Sequence, residues 1–155
     1  MGEDGGAGDF DFFIGRWTVI NERLKRRFAG SDDWETFAAT SDCRKLLGGA
    51  AHIDEIDIPA KSLSGINLAV FDAKDKSWSL HWMDDQNRVF FPPVRGHFAA
   101  GRGTFYAEDT DAGRPVKVRY LWLASDSAPR WEQAFSIDAG ANWETNWIMK
   151  FTRVD

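Results

Sequence analysis

The stretch Phe13-Ile14-Gly15-Arg16-Trp17 stands where a short amphipathic segment meets the first long run of strand-like sequence. Apolar side chains at helical spacing share one face of a turn, and a glycine after them ends it. A helix of one or two turns has no stability of its own in water. The stretch therefore predicts a helical turn that lies against another surface, followed directly by a strand.

The segment upstream completes this turn. Asp9 is the expected N-cap, and Phe10 belongs to the same apolar face as Phe13 and Ile14. Residues 1–8 are rich in glycine and acidic side chains, which predicts a disordered lead before a single domain over residues 9–155. The apolar face of the turn would be buried if the turn closed the open end of a barrel.

Nearly every later segment has strand character, with short turn clusters between the segments. The predicted strands cover residues 16–28, 34–47, 51–58, 65–71, 77–84, 88–91, 94–99, 104–108, 116–123, 131–137 and 143–154. No helical stretch is long enough for the crossover that a parallel sheet requires. The pattern therefore predicts an all-β protein built from hairpins.

A sheet of about ten strands rarely stays open and flat. Short connections between neighbouring strands favour an up-and-down arrangement, and closure of the sheet removes its exposed edges. The predicted fold is a single antiparallel up-and-down β-barrel of about ten strands, with the N-terminal helical turn closing one end.

Composition and charge exclude some classes of partner. The chain of 155 residues has eight Trp and twelve Phe but only two Tyr, and its net charge is −5. A nucleic-acid-binding protein needs a basic face, and here the basic residues are interleaved with acidic ones. No apolar run approaches the ~20 residues that cross a bilayer. We therefore expect neither a nucleic acid nor a membrane as partner.

Cys43 is the only cysteine, so no disulfide can form within the chain. This fits a reducing compartment, and the first residues lack the apolar core of a signal peptide. The sequence thus predicts a cytoplasmic protein with Cys43 as a small buried residue. It leaves open whether the protein is a monomer or a homodimer.

The first and last strands resemble those of lipocalin-like (calycin) barrels. Gly15-Arg16-Trp17 opens the first strand, and Arg153 lies in the last. The resemblance implies that Trp17 lies across the barrel floor and that Arg153 packs over it. More closely, residues 11–17, 130–136 and 143–149 resemble segments of a bacterial family of unknown function with a lipocalin-like barrel, and the likeness covers about residues 9–154. It implies a fold and no established activity.

Alternation along the strands predicts which side chains face the interior. In the last strand the predicted inward residues are Trp143, Thr145, Trp147, Met149, Phe151 and Arg153. A barrel of this width must be filled by large side chains or hold a ligand. We expect a small apolar or aromatic molecule inside, with His81 as its polar anchor. The predicted ligand-binding residues are His81, Trp82, Tyr120, Trp131, Gln133 and Trp147.

Two other functions stay open. An isomerase, cyclase or hydrolase would need ionisable groups that face each other inside, with His81, Glu55, Glu132 and Arg95 as candidates. An interaction module would have a filled barrel and an exposed apolar patch at residues 89–93. No catalytic residue is assigned, and the sequence favours a binding protein over an enzyme.

The three histidines are the first candidates for metal ligands. His52, His81 and His97 lie on three different predicted strands, and no H-x-H or H-E-x-x-H pattern occurs. We therefore predict no metal site and no cofactor from the sequence.

Overall fold

Ten antiparallel strands form a closed barrel in the computed structural model, which describes residues 6–154. The strands are β1 (Gly15–Leu24), β2 (Trp34–Leu46), β3 (Ala51–Ile58), β4 (Leu63–Asp72), β5 (Ser77–Asp84), β6 (Val94–Ala99), β7 (Arg102–Asp111), β8 (Arg114–Leu123), β9 (Arg130–Ser136) and β10 (Glu144–Arg153). Short 3-10 turns occupy Asp11–Phe13, Leu47–Gly49 and Pro59–Lys61. No helix in this part of the chain is long and apolar enough to cross a bilayer.

The strands follow one another around the barrel in chain order. Each pairs with its successor, and β1 pairs with β10 to close the sheet. The predicted up-and-down barrel is therefore confirmed. Of the predicted lead, residues 1–5 lie outside the described residues. The N–H of Gly6 donates to the Asp9 carboxylate at 2.9 Å.

One predicted strand is wrong. Residues 88–91 lie in the connection between β5 and β6, outside any strand. Arg88 has a φ of 60°, a left-handed conformation that no strand contains. Pro92 and Pro93 follow and have no N–H to donate to a ladder. The connection therefore leaves the sheet near the rim of the barrel.

The predicted N-terminal turn is present, but its cap is wrong. Phe10 occupies the N-cap position of the turn Asp11–Phe13 and makes no side-chain capping bond. The carboxylate of Asp9 instead accepts a hydrogen bond from the Trp78 indole N–H at 3.0 Å. A tertiary contact thus takes the side chain that a local capping rule assigned to the turn.

The N-terminal turn and the first and last strands meet over Trp17. The rings of Phe13 and Trp17 stack with centroids 5.7 Å apart, and the Trp17 indole N–H donates to the Phe13 carbonyl at 2.8 Å. The Arg153 guanidinium lies 4.1 Å from the Trp17 ring centroid. It also donates to the carbonyls of Ile14 at 2.8 Å and Phe12 at 2.6 Å. The first strand, the last strand and the turn are held together at this end.

A β-bulge in β10 changes which of its side chains face inward. Trp147, Met149 and Phe151 line the interior as predicted, but the register shifts between Thr145 and Trp147. An extra residue in one strand reverses the faces of the residues beyond it. The expected inward position of Trp143 is therefore wrong.

Trp143 and Thr145, which precede the bulge in the chain, both lie on the outer face of the barrel. Trp143 contacts Tyr106, an exposed side chain, with ring centroids 6.0 Å apart. The Arg119 guanidinium lies 4.7 Å from the Trp143 ring centroid. Thr145 pairs with Ala134, whose neighbour Gln133 faces inward, so Thr145 also points away from the interior.

Candidate functional site

The barrel encloses a cavity of about 380 Å³. Phe13 forms part of its floor, and Arg23 and Asp111 lie at the opposite end. Phe91 and Pro92, from the connection between β5 and β6, border the same end. That end is therefore the mouth, and the end covered by the N-terminal turn is closed.

Four aromatic side chains form much of the wall. Trp82, Tyr120, Trp131 and Trp147 all line the cavity. The Tyr120 and Trp131 rings meet edge to face at a centroid distance of 5.0 Å, and the Trp131 and Trp147 centroids are 6.0 Å apart. Edge-to-face contacts of this kind hold aromatic rings in defined orientations. Five of the six residues predicted to bind a ligand, these four and Gln133, thus share one cavity.

Gly65 is required for the position of Trp82. A Cβ atom built on Gly65 would lie 2.0 Å from the Cη2 atom of Trp82. The indole therefore lies directly over the β4 backbone, where only glycine leaves room for it. The Trp82 indole ring is thereby fixed against β4, where it lines the cavity.

His81, the sixth predicted residue, lies apart from this group. Leu80 and Trp82, its neighbours on β5, line the cavity, and successive side chains on a strand point to opposite faces. The His81 imidazole Nε2 lies 3.1 Å from the Ser79 hydroxyl, and its ring is 6.2 Å from that of Phe90. Adjacent residues of one strand cannot both face the same cavity, so the structure does not bring His81 and Trp82 together.

The other ionisable candidates also lie outside the barrel. Glu55 and Arg95 are exposed, and Glu132 accepts a hydrogen bond from the Arg130 guanidinium at 2.7 Å. None of these residues lines the cavity. The pairing of ionisable groups that an enzyme would require is not formed by these side chains.

Polar side chains interrupt the apolar wall at two places. Gln133 donates to the Asn146 side chain at 2.8 Å, and Asn67 donates to the Asp54 carboxyl at 3.1 Å. No described residue forms a hydrogen bond with the Tyr120 hydroxyl, and burial raises the pKa of Tyr120. The hydroxyl therefore stays neutral and free to bond a molecule in the cavity.

Asp54 is the acidic group that the sequence analysis missed. It lines the cavity and is 9% exposed, and burial raises its pKa to about 7, against the opposite effect of the Asn67 hydrogen bond. No cation among residues 6–154 forms an ion pair with it. Asp54 shares a face of β3 with Ile56 and Ile58, which are both buried. Alternation from these two residues therefore predicts that Asp54 points inward and Glu55 outward.

Cys43 and His52 lie next to Asp54 on the inner face of the barrel. The Cys43 sulfur is 3.5 Å from the His52 Nδ1 atom. Burial lowers the pKa of His52 to about 4 and raises that of the Cys43 thiol. The imidazole and thiol are both neutral at physiological pH. His97 is exposed and bonds the Lys76 carbonyl, so the three histidines do not converge.

Charged residues surround the mouth. The Arg23 guanidinium stacks on Trp147, 4.5 Å from the ring centroid. Arg27 makes two hydrogen bonds to the Asp111 carboxylate, at 2.9 Å and 2.6 Å. This pair joins the connection after β1 to the end of β7 across the rim.

A second depression of about 860 Å³ lies on the outer face of β1 to β5. Its lining includes Thr18, Thr40 and Ile66, which alternate with inward side chains. It is more open to solvent than the interior cavity, so the interior cavity is the better candidate for a ligand site.

Comparison with known sequences adds no identity. No protein family and no curated protein matches this chain.

Proposed function

We propose that this protein binds a small apolar or aromatic molecule inside its barrel. The observation that carries the proposal is the cavity of about 380 Å³ walled by Trp82, Tyr120, Trp131 and Trp147. Ligand pockets commonly range from about 300 to 1,000 Å³, with mostly apolar walls and a few polar groups. The cavity meets both conditions.

The energetic cost of the space supports a bound occupant. Empty volume in a protein core costs about 24 cal/mol per Å³ in measured substitutions. If the whole 380 Å³ were empty, the cost would be about 9 kcal/mol. That is comparable to the entire folding free energy of a typical domain, about 5–15 kcal/mol. Water or a ligand therefore fills the space, and an aromatic wall favours a ligand that replaces weakly bound water.

The wall also indicates the chemistry of the ligand. Its body would lie against the indole rings of Trp82, Trp131 and Trp147. A polar substituent would meet the Tyr120 hydroxyl, which bonds none of residues 6–154, or the Gln133 amide beside it. The ligand is thus an apolar or aromatic molecule with one hydrogen-bonding group.

We also propose that the barrel is of the lipocalin-like type. Its support is the closed barrel together with the contact of Arg153 on Trp17. The unpaired, buried Cys43 thiol supports residence in a reducing compartment such as the cytoplasm.

Native mass spectrometry of protein purified from its own host tests this function. We expect a retained small molecule, released when the protein unfolds and then identified by its mass. Fluorescence titration with an apolar dye should give saturable binding that the released molecule displaces. Protein that carries no small molecule and gives no saturable dye binding would contradict the proposal.

A further inference from the structure

Three potential metal ligands of different chemistry lie together at the closed end of the cavity. Cys43, His52 and Asp54 are all buried, and one donor atom from each lies within 4.8 Å of the others. Cys43 on β2 is paired directly with Asp54 on β3, and His52 precedes Asp54 by two residues on the same face. Two rigid strands therefore hold the three side chains together.

We propose that Cys43, His52 and Asp54 bind one divalent transition-metal ion with the ligand preference of zinc. Thiolate, imidazole and carboxylate are the three groups that bind zinc in proteins, so the Cys43 thiol releases its proton to solvent as the ion binds. This proposal does not rest on the aromatic ligand proposed above, although Asp54 also lines the cavity.

The spacing of sulfur and nitrogen agrees with tetrahedral coordination. Zinc lies about 2.3 Å from sulfur and about 2.0–2.1 Å from nitrogen, which at a tetrahedral angle places the two ligand atoms about 3.5 Å apart. The Cys43 Sγ and His52 Nδ1 atoms are 3.5 Å apart. The ion can therefore enter without a large movement of either side chain.

Packing alone does not explain why these residues are polar. Among the described residues, the Asp54 carboxyl has only the Asn67 amide as a hydrogen-bond partner, and the His52 Nδ1 atom contacts only the Cys43 sulfur. A buried polar atom with too few partners destabilises the folded protein, a cost that an apolar residue would avoid. Buried charged groups persist when they are paired or bind a metal. Asn67 then orients the Asp54 carboxylate, as outer-shell partners do in metal sites.

The arrangement leaves one coordination position open. Three protein ligands with a free fourth position are typical of zinc sites that bind water or substrate. Asp54 lines the cavity, whereas Cys43 and His52 lie behind it. The open position is therefore reached from the cavity on the side of Asp54.

Titration of metal-free protein with Co²⁺ and Zn²⁺ tests this site. We expect one ion per chain, a sulfur-to-cobalt charge-transfer band in the near ultraviolet, and the visible absorption of a tetrahedral ion. Zn²⁺ should displace Co²⁺ and raise the melting temperature. Cys43→Ser should remove the charge-transfer band and weaken Zn²⁺ binding at least tenfold, and Asp54→Asn should weaken it similarly.

His97→Gln is the matched control, because His97 is exposed and distant from the cluster in the sheet. It should bind both ions like the parent. Circular dichroism checks that each variant is folded. If Cys43→Ser does not fold, the test rests on Asp54→Asn. Failure of the parent to bind one Co²⁺, a spectrum without the sulfur band, or equal weakening by His97→Gln would overturn the site. Dye binding by metal-free protein reports separately on the aromatic cavity.

Discussion

The Arg153 guanidinium lies over the Trp17 ring at 4.1 Å from its centroid and joins the last strand of the barrel to the first. The two residues are also direct partners in the ladder between β1 and β10. The arginine ties down the N-terminal turn through two carbonyls. Barrel closure and closure of the floor therefore depend on the same pair.

Replacement of Trp17 by alanine should destabilise the protein by about 3–5 kcal/mol, the range for a large buried aromatic side chain. Trp17 is 1% exposed and its ring contacts both Phe13 and Phe151. Urea denaturation followed by circular dichroism measures the loss. The exposed outer residue Ile20, changed to alanine, is the control and should cost less. A Trp17→Ala protein as stable as the parent would show that Trp17 is not the floor of the barrel.

Filling the cavity should abolish ligand binding without unfolding the barrel. Ala107 lines the cavity, and Ala107→Phe places a ring in the space that the ligand would occupy. Ala38 is exposed on β2, so Ala38→Phe adds the same side chain outside. We expect loss of dye binding and of the retained molecule in the first variant only. Equal binding by both variants would place the ligand outside the cavity.

The ion pair at the mouth should make stability depend on pH. The hydrogen bond from Arg27 holds the pKa of Asp111 below its ordinary value. A lowered folded-state pKa adds stability that is complete above the ordinary carboxyl pKa of about 4 and is lost as pH falls through the lower folded value.

Asp111→Asn should therefore lose up to about 1 kcal/mol at pH 7, as partly exposed ion pairs do. The difference between parent and variant should shrink as pH falls below about 4. Thermal unfolding across this pH range measures it. A difference that stays constant down to low pH would mean that the carboxylate charge does not contribute.

Gly65→Ala should displace Trp82 and weaken ligand binding, with a loss of stability of about 1–3 kcal/mol from overpacking. The clash is with a side chain, so Trp82→Leu in the same protein should restore part of the stability. Gly96→Ala is the contrast, because its Cβ would lie 1.8 Å from the Thr104 backbone carbonyl oxygen. No side-chain change relieves that contact. Urea denaturation of these three variants separates the two cases, and a Gly65→Ala protein that Trp82→Leu does not rescue would refute the packing argument.

Most of the strands and the two-residue alternation could be predicted from sequence, because each depends on neighbours along the chain. Tyr120, Trp131 and Gln133 were assigned to the interior on that basis, and they line the cavity. His81 was grouped with Trp82 against the same alternation, and the structure separates them. Alternation alone places these two adjacent side chains on opposite faces of β5.

The remaining features depend on contacts between strands. The bulge near Asn146 puts Trp143 on the outer face, and pairing with β9 decides where that bulge occurs. Cys43 meets Asp54 only because β2 and β3 pair in one particular register. The strands and their alternation follow from the order of residues along the chain, since backbone geometry repeats every two residues. The register, the bulge and the unfilled volume arise when the chain folds, because they depend on how distant segments pack against each other.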